Sequence, residues 1–254
     1  MDLRLSGKRV LVTGASRGIG RAIAATLADE GCALAICARG EDALRRAAGE
    51  LRAGGVTVHD EVVDVADGDA LAAFVHSATD ALGGLDVVVS NASAGGGLSG
   101  PEQWATSFQT DLLAFVRLAE AATDALTRSK GALVAVATTS ASDTAPPSGP
   151  GSYGAIKAAL IHHAAGLGRS LAPRGVRVNV VSPGPIEFPG GSWERRRDDK
   201  PDFYQSIRAR IPVGRLGRPE EVAAAVAFLA SPVASFCVGT NLVVDGGFLT
   251  RVAF

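Results

Sequence analysis

The chain has 254 residues, of which 47% are apolar and 20% charged, enough apolar material for a buried core and the wrong composition for a disordered chain. Its formal net charge of -1 excludes a strong general field for nucleic acid or anionic membrane, so neither is an expected partner. One domain spanning residues 1–254 is expected for an α/β chain of this size.

Short β-branched runs alternate with longer Ala/Leu-rich segments, the pattern of strands joined by helical crossovers in a parallel sheet. In chain order the sequence predicts a strand at Arg9 to Thr13, a helix from Gly18, a strand at Ala33 to Ala38 and a helix from Glu41. A strand at Val56 to Val62, a helix from Asp67, a strand at Leu85 to Ser90 and a helix from Pro101 follow. The second half reads as a strand at Ala132 to Thr138, a helix from Gly151, a strand at Val176 to Val181, a helix from Pro219 and a strand at Leu242 to Val244. Runs such as Val87, Val88, Val89 and Leu133 to Ala137 are apolar throughout, as strands covered on both faces are. The fold class is therefore doubly wound α/β, a seven-stranded, mainly parallel sheet with helices on both faces. Glycines punctuate the connections, as at Gly54-Gly55, Gly83-Gly84 and Gly95-Gly96-Gly97. Residues 185–211, within a long stretch lacking a clear sheet role, are expected to form a lid, with a short helix around Phe203 to Arg210. The Arg195, Arg196, Arg197 run, flanked by Glu194, Asp198 and Asp199, reads as a solvated surface turn.

Met1 to Gly7 leads into Val10, Leu11, Val12, too short an apolar stretch for a signal-peptide core. No apolar run reaches the roughly 18 residues of a membrane span, so a cytoplasmic location is expected. Cys32, Cys37 and Cys237 read as buried reduced thiols. The histidines, His59, His76, His162 and His163, show no metal-ligand spacing, and no metal is expected.

Thr13-Gly14-Ala15-Ser16-Arg17-Gly18-Ile19-Gly20 follows the first strand and opens the first helix. Glycines there let the backbone approach a pyrophosphate, whose charge the unpaired N–H groups of the helix N-terminus favour. The setting is that of a Rossmann-type dinucleotide site. At Ser152-Tyr153-Gly154-Ala155-Ile156-Lys157 the tyrosine and lysine lie four residues apart, on one helix face. A phenol ordinarily titrates near ~10, and a neighbouring ammonium favours its anion.

These motifs resemble those of the short-chain dehydrogenase/reductase family, T-G-x-x-x-G-x-G and Y-x-x-x-K, with Ser140 at the family's usual separation before Tyr153. The likeness continues through Asn179 to Gly184, Gly214 to Val222 and Asp245-Gly246-Gly247, and is strongest to the beta-ketoacyl carrier-protein reductase branch. The resemblance implies hydride transfer between a nicotinamide and a carbonyl or secondary alcohol. In it Tyr153 is the general acid/base, Lys157 tunes it and holds the nicotinamide ribose, and Ser140 hydrogen-bonds the substrate oxygen. Aligning Phe108 to Phe115 on the segment that usually carries a catalytic asparagine puts Asp111 there. The usual N-N-A-G reads Ser90-Asn91-Ala92-Ser93, and the threonine common after the proline-glycine pair is missing from Pro185-Ile186-Glu187-Phe188.

For the cofactor, the resemblance points to Gly14, Ser16, Arg17, Gly18, Ile19, Gly20, Arg39, Asp64, Val65, Asn91, Ala92, Tyr153, Lys157, Pro183, Gly184 and Ile186. An acidic residue at the end of the second strand would select NAD; here Ala38 stands there, with Arg39 after it and Arg17 in the glycine turn, which favours NADP(H). Phe188, Trp193, Phe203 and Tyr204 of the lid are expected to fold over a partly apolar substrate. A homotetramer is implied, through the Ala-rich face of Gly151 to Leu171 and the tail around Phe248, Val252 and Phe254. Two alternatives stay open: a catalytically weak cofactor-binding or regulatory member, motivated by Asp111 and Ser93, and an NAD-dependent alcohol dehydrogenase.

Overall fold

A computed structural model describes residues 2–96 and 100–250; Val252, Phe254 and Gly97 lie outside the described residues. The seven strands are β1 (Arg9–Thr13), β2 (Ala33–Ala38), β3 (Val58–Val62), β4 (Val87–Ser90), β5 (Ala132–Val136), β6 (Arg177–Pro183) and β7 (Asn241–Val244). They form one sheet in the order β3-β2-β1-β4-β5-β6-β7, with every neighbouring pair parallel. The crossovers are α1 (Gly18–Asp29), α2 (Glu41–Ala53), α3 (Gly68–Leu82), α4 (Pro101–Ser107), α5 (Ala114–Ser129) and α6 (Ser152–Leu171). After β6 come α7 (Ser192–Asp199), α8 (Pro201–Ala209) and α9 (Pro219–Ala230).

Alternation along each strand divides the core in two. Val10 and Val12 of β1, with Leu34 and Ile36 of β2, pack against Ile23 and Leu27 of α1, Leu44 of α2 and Val222 and Val226 of α9. Leu11, Ala35 and Val88 face the other way, onto Leu71 and Phe74 of α3, Phe115 and Leu118 of α5 and Leu160 of α6. Each face buries its own apolar stripe, which is why these strands are apolar at successive positions.

Caps place the helix ends. Asp67 Oδ1 accepts from the N–H groups of Asp69 and Ala70, both at 3.0 Å, and starts α3. Arg177, at the head of β6, donates to the carbonyls of Leu229 (2.7 Å), Ala230 (3.1 Å) and Ser231 (3.0 Å), satisfying the C-terminal end of α9.

The structure departs from the sequence reading at four places. The helix expected from Pro101 is interrupted by a π-helical turn over Phe108–Leu113. The lid contains two helices, and the Arg195 to Arg197 run lies on α7 instead of a surface turn. Tyr204 packs in a lid core with Trp193, Ile207, Ile211, Leu216 and Phe248 and turns its hydroxyl to Glu187, and Phe248 is buried within the chain. Of the thiols, Cys32 and Cys37 are buried and Cys237 is only half-buried.

Candidate active site

The strand order reverses between β1 and β4, and the crevice at the carboxyl ends of these strands is where an open α/β sheet binds ligands. A cavity of about 460 Å³ opens there, lined by Gly14, Ser16, Arg17, Ile19 and Gly20 after β1 and Ala38, Arg39 and Gly40 after β2. Val63, Asp64 and Val65 after β3, and Asn91, Ala92 and Ser93 after β4, complete it. Gly18, inside the turn, is partly exposed and opens α1. The expected cofactor-binding positions of the first half of the chain therefore converge on one space.

The turn fits a dinucleotide pyrophosphate. A Cβ on Gly20 would fall on the carbonyl oxygen of Gly14 and the amide nitrogen of Asn91, so only glycine closes it. Asn91 Nδ2 donates to the carbonyls of Thr13 and Gly14, both at 3.1 Å, and the Thr13 hydroxyl accepts from the N–H groups of Asn91 (3.0 Å) and Ala92 (3.2 Å). Asn91 thus braces the turn as well as lining the cavity. Arg17, the N-cap of α1, supplies no side-chain cap, and the first turn carries no acid, which leaves the helix N–H groups and dipole available to an anion. Arg17 and Arg39 are exposed at the cavity wall, and Ala38 leaves the end of β2 without a carboxylate.

A second cavity, about 220 Å³, adjoins the first through Ile19 and Phe188, which line both. Its walls include Thr138 and Ser140 after β5, Tyr153 of α6, Pro183, Gly184 and Ile186 after β6, and Trp193 and Arg196 of α7. Thr138 Oγ1 accepts from the Ser140 N–H at 3.2 Å, starting a single helical turn over Thr139–Ala141 that presents Ser140. A Cβ on Gly154 would sit 2.6 Å from the Ser140 carbonyl oxygen; glycine there lets α6 lie against that turn and sets Tyr153 beside Ser140. Behind Tyr153, Ser152 shares a hydrogen bond with Ser107 (2.9 Å), which accepts from Gln103 Nε2 at 3.0 Å. Sequence reasoning passed over Thr138, which is close enough to Tyr153 to lower its pKa, and the buried serine–glutamine link at Ser152, because each is an ordinary polar residue until the chain folds.

One turn along α6, Lys157 is 2% exposed and donates to the Val136 carbonyl at 3.0 Å. Its Nζ lies 3.0 Å from Oδ1 of Asp111, itself 2% exposed on the π-turn. That contact is ionic, since Asp111 Oδ1 receives no aligned hydrogen bond; Oδ2 accepts from the Ala94 N–H at 3.3 Å. Arg117, a conceivable partner for Asp111, instead donates to the Ala66 carbonyl.

The expectation that Lys157 lowers the Tyr153 pKa is corrected here. Burial first, and the Asp111 charge second, push it up to about 12, against a smaller lowering by a hydrogen bond with Thr138. The larger cause is loss of solvent around the phenol, and the negative charge of Asp111, held beside Lys157, adds to it.

Compared with known proteins, residues 14–249 match the family described as enoyl-(acyl carrier protein) reductase. The chain is 39% identical over 264 residues to isoepoxydon dehydrogenase of Penicillium expansum, covering 98% of each chain. It is 35% identical over 254 residues to a 3-oxoacyl-acyl-carrier-protein reductase of Escherichia coli, covering 96% of this chain and 98% of that one. The solved structure of L-sorbose reductase from Gluconobacter frateurii, complexed with NADPH and L-sorbose, superposes with a TM-score of 0.90 at 32% identity, covering 99% of this chain and 100% of that one.

Proposed function

The chain belongs to the short-chain dehydrogenase/reductase family, and on that premise we propose that it is an NADP(H)-dependent reductase of carbonyl groups with Tyr153 as its proton donor. The observation that carries this reading is that the glycine-turn cavity and the one holding Tyr153 and Ser140 lie side by side, with Ile19 and Phe188 as shared wall. NADP(H) would be held with its pyrophosphate at the N-terminus of α1, its adenine near Asp64 and Val65, and its 2′-phosphate between Arg17 and Arg39. The Pro183, Gly184 and Ile186 segment would flank the nicotinamide. When bound, NADPH supplies the hydride.

The residues divide the remaining work. Ser140 donates to the carbonyl oxygen and polarises it, and Tyr153 gives its proton to the oxygen as negative charge develops. With its pKa raised above the ordinary phenol value, Tyr153 stays protonated through the neutral range and is ready to donate. Lys157 has three N–H donors; Val136 takes one, Asp111 balances the charge, and a donor remains for the nicotinamide ribose. Asp111 acts as a positioning residue through Lys157. Residues 185–211 close over the substrate, with Phe188 and Trp193 lining the cavity.

A homotetramer is part of this reading. Trp104 and Phe108 are exposed around the start of the π-turn, Phe236 stands fully exposed before β7, and α6 presents the small exposed residues Ala155, Ala159 and Gly166 along one side. Among the described residues no helix is long and apolar enough to cross a membrane, and a cytoplasmic location accords with the unpaired thiols of Cys32 and Cys37. The test is a steady-state screen of ketones and aldehydes with NADPH and NADH: reduction with NADPH preferred supports the reading. NADPH binding without turnover of any carbonyl would favour a regulatory member, and a preference for NADH would overturn the cofactor assignment.

A further inference from the structure

Three consecutive arginines on α7 have different surroundings. Arg195 Nη1 donates to the Gly190 carbonyl at 3.0 Å. Arg197 pairs with Glu187 at 2.5 Å and lies 3.8 Å from Glu194, so the two carboxylates beside this helix start are already engaged. Arg196, among the described residues, has neither an ion-pair nor a hydrogen-bond partner. Its guanidinium lies 4.7 Å from the centroid of the Trp193 ring and 5.8 Å from that of Phe203, and those two rings are parallel, 6.2 Å apart.

A guanidinium stacked on aromatic faces is fixed in plane, yet keeps its N–H edge for hydrogen bonds, the geometry that grips carboxylate or phosphate. Arg196 is half-buried, and burial, with the Arg195 charge second, moves its pKa below the ordinary arginine value; an anion would relieve that cost. The residue also has a defined place. It lines the cavity shared by Ser140 and Tyr153, and it lines an outer groove of about 560 Å³ with Ser148, Ser192, Arg195, Lys200 and Asp199. Three cations and one carboxylate face that groove, and Asp199 is not within ion-pair reach of Arg196.

We propose that Arg196 is a specificity-determining residue, reading an anionic group on the carbonyl substrate at the junction of the reaction cavity and the outer groove. This rests on the carbonyl-reductase reading above. The shared chemistry is a carboxylate or phosphate; a small oxo acid carries the first, and a phosphopantetheine-bound oxoacyl thioester carries the second.

The experiment uses matched pairs: oxo acids with two to five carbons between carboxylate and ketone against their methyl esters, and acetoacetyl-phosphopantetheine against the neutral acetoacetyl N-acetylcysteamine thioester. Each pair is assayed for kcat/KM with NADPH, and titrated calorimetrically into the NADP-loaded enzyme, for wild type, Arg196→Gln and Arg196→Lys. Loss of a charge-assisted contact should lower the anion-to-neutral preference in Arg196→Gln by roughly 10- to 100-fold, with Arg196→Lys in between. The pair that shows this loss identifies the source of the anion. Three results would overturn the proposal: wild type without anion preference in any pair, equal losses for charged and neutral members, or a raised KM for NADPH alone, which would assign Arg196 to the cofactor. Turnover without anion preference would sink the subsite and keep the reductase reading. Anion binding that depends on Arg196, without turnover of any carbonyl, would do the reverse.

Discussion

Replacing Asp111 by asparagine keeps the shape of the side chain and removes one charge from a buried pair. The structure sets the scale. At the 3.0 Å between Lys157 Nζ and Asp111 Oδ1, and an effective dielectric constant of about 20, the gross attraction is about 5–6 kcal/mol. Removing one partner of a buried pair typically costs about 3–5 kcal/mol. Asparagine keeps the volume and leaves no cavity, so the expected loss is at the low end of that range, about 3 kcal/mol, or roughly 6–12 °C in Tm for a chain of this size. The effect on catalysis has a definite sign. Asp111 is the second cause of the raised Tyr153 pKa, so Asp111→Asn lowers it, with the burial contribution remaining. Carbonyl reduction, which needs the protonated phenol, then fails at lower pH than in wild type, and alcohol oxidation, which needs the tyrosinate, begins at lower pH. Both limbs move the same way. The assay is a pair of pH–rate profiles at saturating cofactor in each direction, with a melting curve as control. Superimposable profiles would refute the electrostatic argument whatever the melting curve shows.

Arg39→Asp should shift the ratio of kcat/KM values from NADP toward NAD, because a carboxylate repels the 2′-phosphate and accepts from a free ribose hydroxyl; an unchanged ratio would show that Arg39 does not read the cofactor. Gly20→Ala should abolish NADPH binding by fluorescence titration while the chain stays folded, since its Cβ collides with the Gly14 carbonyl and Asn91; retained affinity would remove the glycine turn from the account. Glu221 accepts from Arg215 and from the Arg218 N–H (2.8 Å) at the start of α9, and these hold its carboxyl at about 2, below the ordinary 4.5. A lowered carboxyl stabilises the fold above its unfolded value and loses that as pH falls toward 2, so Glu221→Gln should melt lower than wild type at pH 7, by about 0.2–1 kcal/mol for so exposed a pair. The gap should close in acid; a difference independent of pH would contradict this.

The strand order and glycine turn were legible because they are written in local patterns: β-branched runs of five or six residues, and three glycines at the first strand-to-helix junction. Strand ends moved by up to two residues. β5 stops at Val136, since Thr138 turns its hydroxyl to Ser140, and β6 runs on to Pro183, paired with β7. The π-turn left no trace in hydrophobic periodicity, because it changes the hydrogen-bond step without changing the apolar pattern around it. Asp111 could be placed by alignment to the family motif, but its contact with Lys157 needed α6 and the π-turn to be brought together. α7 was missed because Trp193-Glu194-Arg195-Arg196-Arg197-Asp198-Asp199 presents only one apolar residue to a core. Lid aromatics that looked equivalent in sequence separate in space, with Phe188 and Trp193 at the cavity and Tyr204 donating to Glu187 at 2.6 Å within the lid.

The central claim is that Tyr153 protonates the substrate oxygen in a site that also holds NADPH. Tyr153→Phe retains the ring, and with it the wall of the cavity, while deleting the oxygen whose pKa burial and Asp111 raise. Measured on any carbonyl that the wild type reduces, kcat should fall about 100- to 10,000-fold, with the Kd for NADPH nearly unchanged. Turnover close to wild type, with cofactor affinity intact, would contradict the account.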